Sequence, residues 1–132
     1  MSNRSVGNAF EAEFCDILAD HGFWVHNLAQ NSSGQPADVI ATKDGTAYLI
    51  DCKVCSRGRF QFTRIEENQW WAMTLWSEYG NGNGWFAIKF DDNIYMIDIE
   101  SIESCRNDHV SIDEELAALY GQTLERWLAS CA

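Results

Sequence analysis

Two carboxylates and one ammonium group stand close together in the sequence: Asp38, in Pro36-Ala37-Asp38, and the triplet Asp51-Cys52-Lys53. The neighbours Tyr48, Leu49, Ile50 and Val54 are apolar, as in a buried strand. Side chains alternate across a strand, so Asp51 and Lys53 share one face while Ile50, Cys52 and Val54 take the other. Charges on such a strand are costly unless they pair or bind a metal. A hairpin register can set Asp38 beside Asp51, and together they offer hard oxygen ligands of the kind that suits Mg2+ or Mn2+. A bare Asp-x-Lys triplet is more often a structural ion pair. This one has company: a helical segment with Glu11 and Glu13 precedes it, and another with Gln69 follows.

The elements that would position these groups follow from periodicity and turn chemistry. Val6, Phe10, Phe14, Ile17 and Leu18 recur at helical spacing over 5–21, with Ser5 as N-cap and Gly22 as stop. Phe23–Leu28 reads as a strand and 29–35 as a polar loop. Asp38–Thr42 and Thr46–Val54 flank Lys43-Asp44-Gly45, whose Asp-Gly is a hairpin signal. Thr63 and Glu66 suggest a capping box opening a helix over 63–79, which runs into the glycine-rich Gly80–Gly84. Strands at Trp85–Phe90 and Ile94–Ile99 turn through Asp91-Asp92-Asn93. Ser111 and Glu114 suggest a further capping box before a C-terminal helical region divided at Gly121. The expected order is αβββαββα, a mixed α/β arrangement in one domain over 1–132, its core at about 5–100 and a helical extension at about 105–132.

That ordered set resembles the PD-(D/E)xK nucleases and, within them, the Holliday-junction resolvases of the archaeal type and more loosely the RecU type. The resemblance runs from about Val6 to Ile99. It is carried by Gly7-Asn8-Ala9-Phe10-Glu11, His21-Gly22-Phe23, Asn31-Ser32-Ser33-Gly34, Leu49-Ile50-Asp51-Cys52-Lys53-Val54, Phe60-Gln61-Phe62 leading to Gln69, and Trp85-Phe86-Ala87-Ile88-Lys89-Phe90. It implies a restriction-endonuclease-like core with a central mixed β-sheet flanked by helices. It further implies a Mg2+-dependent endonuclease, Mn2+ being a possible substitute, that cuts DNA four-way junctions as a homodimer. By position, Asp38 and Asp51 match direct metal ligands, with the Cys52 backbone carbonyl as another. Glu11 matches the helix carboxylate that helps build the site, Lys53 the lysine that orients or deprotonates the attacking water, and Gln69 a glutamine near the site. The loop with Ser32 and Ser33 matches one beside the scissile phosphate. The chain departs from the family at Asp51, where glutamate is usual, and at Ala12 and Asn27, near places where arginines are usual.

The formal net charge of −11 speaks against DNA binding by bulk electrostatics. Its uneven distribution weakens that objection. Nearly all the excess lies beyond residue 64, and Arg4, Lys43, Lys53, Arg57, Arg59 and Arg64 all fall within the first 64 residues. Arg4, Arg57, Arg59 and Arg64 are candidate phosphate contacts, which position DNA without reading its sequence. Two alternatives remain open: a restriction-like or repair nuclease on the same scaffold, and a non-catalytic acidic module that mimics DNA.

No apolar run approaches the ~20 residues that span a bilayer, and the N-terminus lacks the apolar core of a signal peptide, so a cytoplasmic protein is expected. Five cysteines, an odd number, point to reduced thiols. Cys52-x-x-Cys55 with Cys105-x-x-x-His109 has zinc-like spacing, but a regular strand sends Cys52 and Cys55 to opposite faces.

Overall fold

The computed structural model describes residues 3–28 and 37–131, with side chains from residue 5 onward. Helix α1 (Asn3–Asp20) buries Phe10, Phe14 and Leu18, one stripe at helical spacing. Ser5 lies inside the helix and does not cap it. The helix ends where Gly22 takes a left-handed φ of 86°, letting Phe23 N reach back to Leu18 O at 3.1 Å.

The chain then builds β1 (Trp24–Asn27), β2 (Val39–Lys43) and β3 (Thr46–Cys55) as an antiparallel meander. Asp44 and Gly45 both adopt positive φ, the backbone a tight hairpin demands. A short β4 (Arg59–Gln61), a single 3-10 turn (Phe62–Arg64) and α2 (Glu67–Trp76) carry the chain to β5 (Trp85–Phe90), which pairs with β3 in parallel. Parallel pairing requires such a crossover. Strand β6 (Asn93–Asp98) returns antiparallel, followed by α3 (Ile99–Asp108), β7 (Ser111–Asp113), α4 (Glu114–Tyr120), β8 (Gln122–Thr123) and α5 (Leu124–Ser130). The main sheet runs β1-β2-β3-β5-β6-β8, and β4 pairs with β7 in a separate ribbon.

Strand alternation sorts the core into two layers. Leu49, Phe86, Ile88 and Ile97 meet Met73 of α2, Ile102 and Cys105 of α3 and Ala117 of α4. Ile50, Cys52, Ala87 and Met96 face Phe10 and Phe14 of α1 and Trp127 of α5. Cys52 and Cys55 fall into opposite layers. The protein is thus a central mixed sheet flanked by helices. Among the described residues, no helix is long and apolar enough to cross a membrane.

Three further helix starts differ from the sequence expectation. Helix α2 is capped by Glu66, whose side chain and that of Gln69 complete a reciprocal capping box; Thr63 belongs to the preceding turn. Helix α3, absent from the expectation, is capped by Asp98 through Ser101 N at 2.8 Å. Helix α4 is capped by Asp113 through Leu116 N at 2.9 Å, while Ser111 is a buried strand residue.

At Gly121, between α4 and β8, an added Cβ would lie 2.5 Å from both Met96 O and Ile97 Cγ1. Backbone cannot step aside as a flexible side chain can. Gly121→Ala is therefore expected to cost about 1–3 kcal/mol, the usual range for overpacking, read as a lower urea midpoint at unchanged slope. An unshifted midpoint would mean that α4 is not held against β6.

Candidate active site

Asp38 and Asp51 come together because the β2–β3 hairpin pairs Val39 with Ile50. Asp38, just before β2, is anchored on both sides: Leu28 N donates to its carbonyl at 2.8 Å, and its own N donates to Ile50 O at 3.1 Å. Its Oδ2 accepts from Cys52 N at 2.8 Å, so the carboxylate is aimed across the hairpin at the triplet. Asp51 is completely buried. Its Oδ1 accepts from Gln69 Nε2 at 3.1 Å. Its Oδ2 lies 3.0 Å from Lys53 Nζ.

Gln69 joins the site to the start of α2. Its Oε1 accepts from Lys53 Nζ at 3.3 Å and from Glu66 N at 3.0 Å, while Nε2 serves Asp51. A single amide orientation satisfies all three bonds, since the two donors need an oxygen and the carboxylate needs an N–H. Glu66 is a contributor that sequence reasoning missed. A Glu-x-x-Gln spacing was visible, but glutamate is a weaker N-cap signal than the Thr63 three residues earlier.

Glu11 reaches the same place from α1. Burial pushes its carboxyl up to about 7, and Asp38 beside it adds to the rise while Lys53 opposes it. Asp51 is held well above the usual carboxylate range, first by burial and then by Asp38, with Lys53 pulling the other way. Burial likewise holds the Cys52 thiol protonated, packed toward α1 and α5.

These groups line one cleft of about 920 Å3, together with Arg57, Arg59 and Arg64. Arg64 is partly committed to the fold: its Nη1 donates to Val54 O at 2.8 Å, and it lies over the Phe60 ring at 4.9 Å. Arg59 donates to Ser111 Oγ at 2.9 Å and pairs with Asp113 at 3.3 Å. Ser32, Ser33 and Pro36 lie outside the described residues, as does the side chain of Arg4.

The chemistry of the donor set fits a divalent cation. Three carboxylates crowd together at a cost that a positive ion would relieve. Asp51 Oδ2 is buried and ion-paired with Lys53 Nζ at 3.0 Å but, among the described residues, has no well-aligned hydrogen-bond donor, so it keeps lone-pair capacity for a hard cation. Among the described residues no three acidic, cysteine or histidine side chains stand ready-spaced as a metal cage. Asp38 and Asp51 instead spend oxygens on Cys52 N and Gln69. The agreement is one of ligand type and convergence.

The fold is the one expected of a PD-(D/E)xK nuclease, and the family model bears that out. The family model for the archaeal Holliday junction resolvase (Hjc) matches residues 2–130, extending well past Ile99, where the sequence resemblance ended, through the C-terminal helices. The chain belongs to that family, a family of structure-selective junction endonucleases. The structure is similar to that of Archaeoglobus fulgidus Hjc, described as a Holliday junction resolvase from an archaeal hyperthermophile. The TM-score is 0.73 at 17% identity, covering 92% of this chain and 99% of that one. No protein of curated function matches the chain by sequence.

Proposed function

We propose that the protein resolves four-way DNA junctions by Mg2+-dependent hydrolysis, acting in the cytoplasm as a homodimer whose two-fold axis matches the near two-fold symmetry of the junction. The observation that carries this reading is the meeting of Glu11, Asp38 and Asp51 with Lys53 in one cleft beside an arginine-bearing segment.

In this reading Asp38 and Asp51 would hold the divalent ion, assisted by Glu11 and the Cys52 carbonyl. The bound ion would supply Lewis-acid activation of water and neutralise charge growing on the phosphate oxygens. The protein's own groups do the rest. Lys53 would put positive charge next to the attacking water and orient it by donating a hydrogen bond. Gln69 fixes Lys53 and Asp51 relative to each other. Arg4, Arg57, Arg59, Arg64, Ser32 and Ser33 position backbone phosphates, contacts that carry no sequence information and so suit an enzyme selecting by shape.

The test is cleavage of a panel of four-way junction, flap, nicked and linear duplex DNA in Mg2+ or Mn2+. Preferential cutting of the junction, by two symmetric nicks, is the expected result. Preference for linear duplex would replace the reading with a restriction-like or repair activity. Absence of both cleavage and metal binding would favour a non-catalytic module.

A further inference from the structure

The β4–β7 ribbon joins segments distant in sequence, and it sets Ser111–Asp113, from the acidic C-terminal half, beside the strand that carries Arg59 and Gln61 of the cleft lining. Arg59 stands directly opposite Asp113 in this ribbon, and Gln61 opposite Ser111, so Arg59, Asp113 and Ser111 share one face. Ser111 is almost fully buried, yet its hydroxyl accepts from Arg59 Nε at 2.9 Å. The Asp113 carboxylate is divided between two tasks. Oδ1 caps α4 through Leu116 N at 2.9 Å, and Oδ2 faces Arg59 Nη1 at 3.3 Å. The cap immobilises the carboxylate, and the carboxylate in turn limits where the guanidinium can point.

We propose that Ser111 and Asp113 are positioning residues for junction binding: they hold the Arg59 guanidinium at the cleft wall, where it grips one DNA backbone phosphate. This rests on the proposed function and adds the C-terminal ribbon to its binding machinery. The Arg59 side chain remains 54% exposed and lines the same cleft as Lys53. It therefore keeps donor capacity for a phosphate while two of its nitrogens are steered. An exposed pair of this kind contributes little to folding stability. A long side chain held in place before DNA arrives loses less freedom on binding than a free one. Arg64, which spends a donor on Val54 O, shows the other use of an arginine here, bracing the strand that carries Lys53.

Binding of the full-length protein to a four-way junction, without divalent metal and over a series of KCl concentrations, tests the proposal. Four variants are compared: Arg59→Ala, Ser111→Ala, Asp113→Asn and the double variant of Arg59→Ala with Asp113→Asn. Asparagine caps helices as well as aspartate, so Asp113→Asn keeps α4 while losing the acceptor for Arg59, and its melting temperature checks this. Arg59→Ala should weaken binding and reduce the slope of log K against log salt by about 0.9, the signature of one lost phosphate contact. Ser111→Ala and Asp113→Asn should each weaken binding by about three- to tenfold, and the double variant should bind no more weakly than Arg59→Ala alone. Tighter binding by Asp113→Asn would overturn the proposal, showing that the carboxylate competes with phosphate. Wild-type affinity in the single variants, or additive losses in the double, would also overturn it. If the wild-type protein failed to bind the junction, the functional reading itself would fall and this proposal with it, a result distinct from the others.

Discussion

Asp38→Asn and Lys53→Ala are both expected to reduce junction cleavage by about a thousandfold, yet to move stability in opposite directions. On the proposed reading Asp38→Asn impairs binding of an ion worth several kcal/mol of charge stabilisation, and each 1.36 kcal/mol is about tenfold in rate. Loss of a positioned proton-transfer group costs about 10²–10⁴-fold. The effects on folding separate the two. Asp38→Asn removes a negative charge from beside Glu11 and Asp51, both of which it pushes upward. The asparagine oxygen can still accept from Cys52 N, so the metal-free protein should be as stable as the wild type or more so. Lys53→Ala removes the ammonium 3.0 Å from a completely buried carboxylate and leaves Gln69 as the nearest donor. Stability should fall by about 1–3 kcal/mol, typical of a buried polar group losing a partner. Single-turnover cleavage of a labelled junction, alongside thermal unfolding without metal, reads both quantities. Activity within tenfold of wild type in either variant would count decisively against the site assignment.

The convergence of the candidate site residues was legible in the sequence because its parts are local or periodic. Asp51 and Lys53 lie two apart on a strand, and Asp44-Gly45 fixes the hairpin that brings Asp38 alongside. Strand alternation also separated Cys52 from Cys55 correctly. What could not be read depends on partners distant in sequence. Strands β4, β7 and β8 have three, three and two residues, too few to show a period, and β4 finds β7 only in the folded chain. Helix α3 buries Ile99, Ile102 and Cys105. Its cap, Asp98, directly follows a run of strand formers, so the run looked like one strand ending at Ile99. Ser111-x-x-Glu114 had the spacing of a capping box, but tertiary contacts claim both residues. The serine hydroxyl goes to Arg59, and the Glu114 carboxylate accepts from Tyr95 Oη at 2.9 Å and Asn93 Nδ2 at 2.7 Å. In the same way, nothing in the linear spacing of Arg57, Arg59 and Arg64 distinguishes an arginine turned back onto Val54 O from one left facing the cleft.

Trp127→Ala is expected to be the most destabilising single change outside the site, at about 3–5 kcal/mol. Helix α5 has seven residues, far below the length at which a helix holds itself together in water. Its persistence must come from what it buries, chiefly Trp127, at 1% exposure, with Leu124 and Leu128. The indole stacks on Phe23 at 5.7 Å and 12°, and it meets the rings of Tyr48 at 5.2 Å and Trp85 at 5.8 Å edge-on. Those rings precede β1 and sit on β3 and β5, so one side chain ties the C-terminal helix to three parts of the sheet. Removing it leaves a cavity that three ring-bearing segments cannot jointly close. A loss of this size should lower the melting temperature by about 10–20 °C. Trp127→Phe should cost much less, since a ring can still fill part of the space. Tyr48 lies at the hairpin end of β3, and Asp51 and Lys53 lie further along, so cleavage measured well below the lowered melting temperature should persist. A melting temperature unchanged in Trp127→Ala would mean that α5 is an appendage rather than part of the cooperative core. Loss of cleavage in protein that is still folded would show that the aromatic cluster also sets the position of the β3 carboxylate.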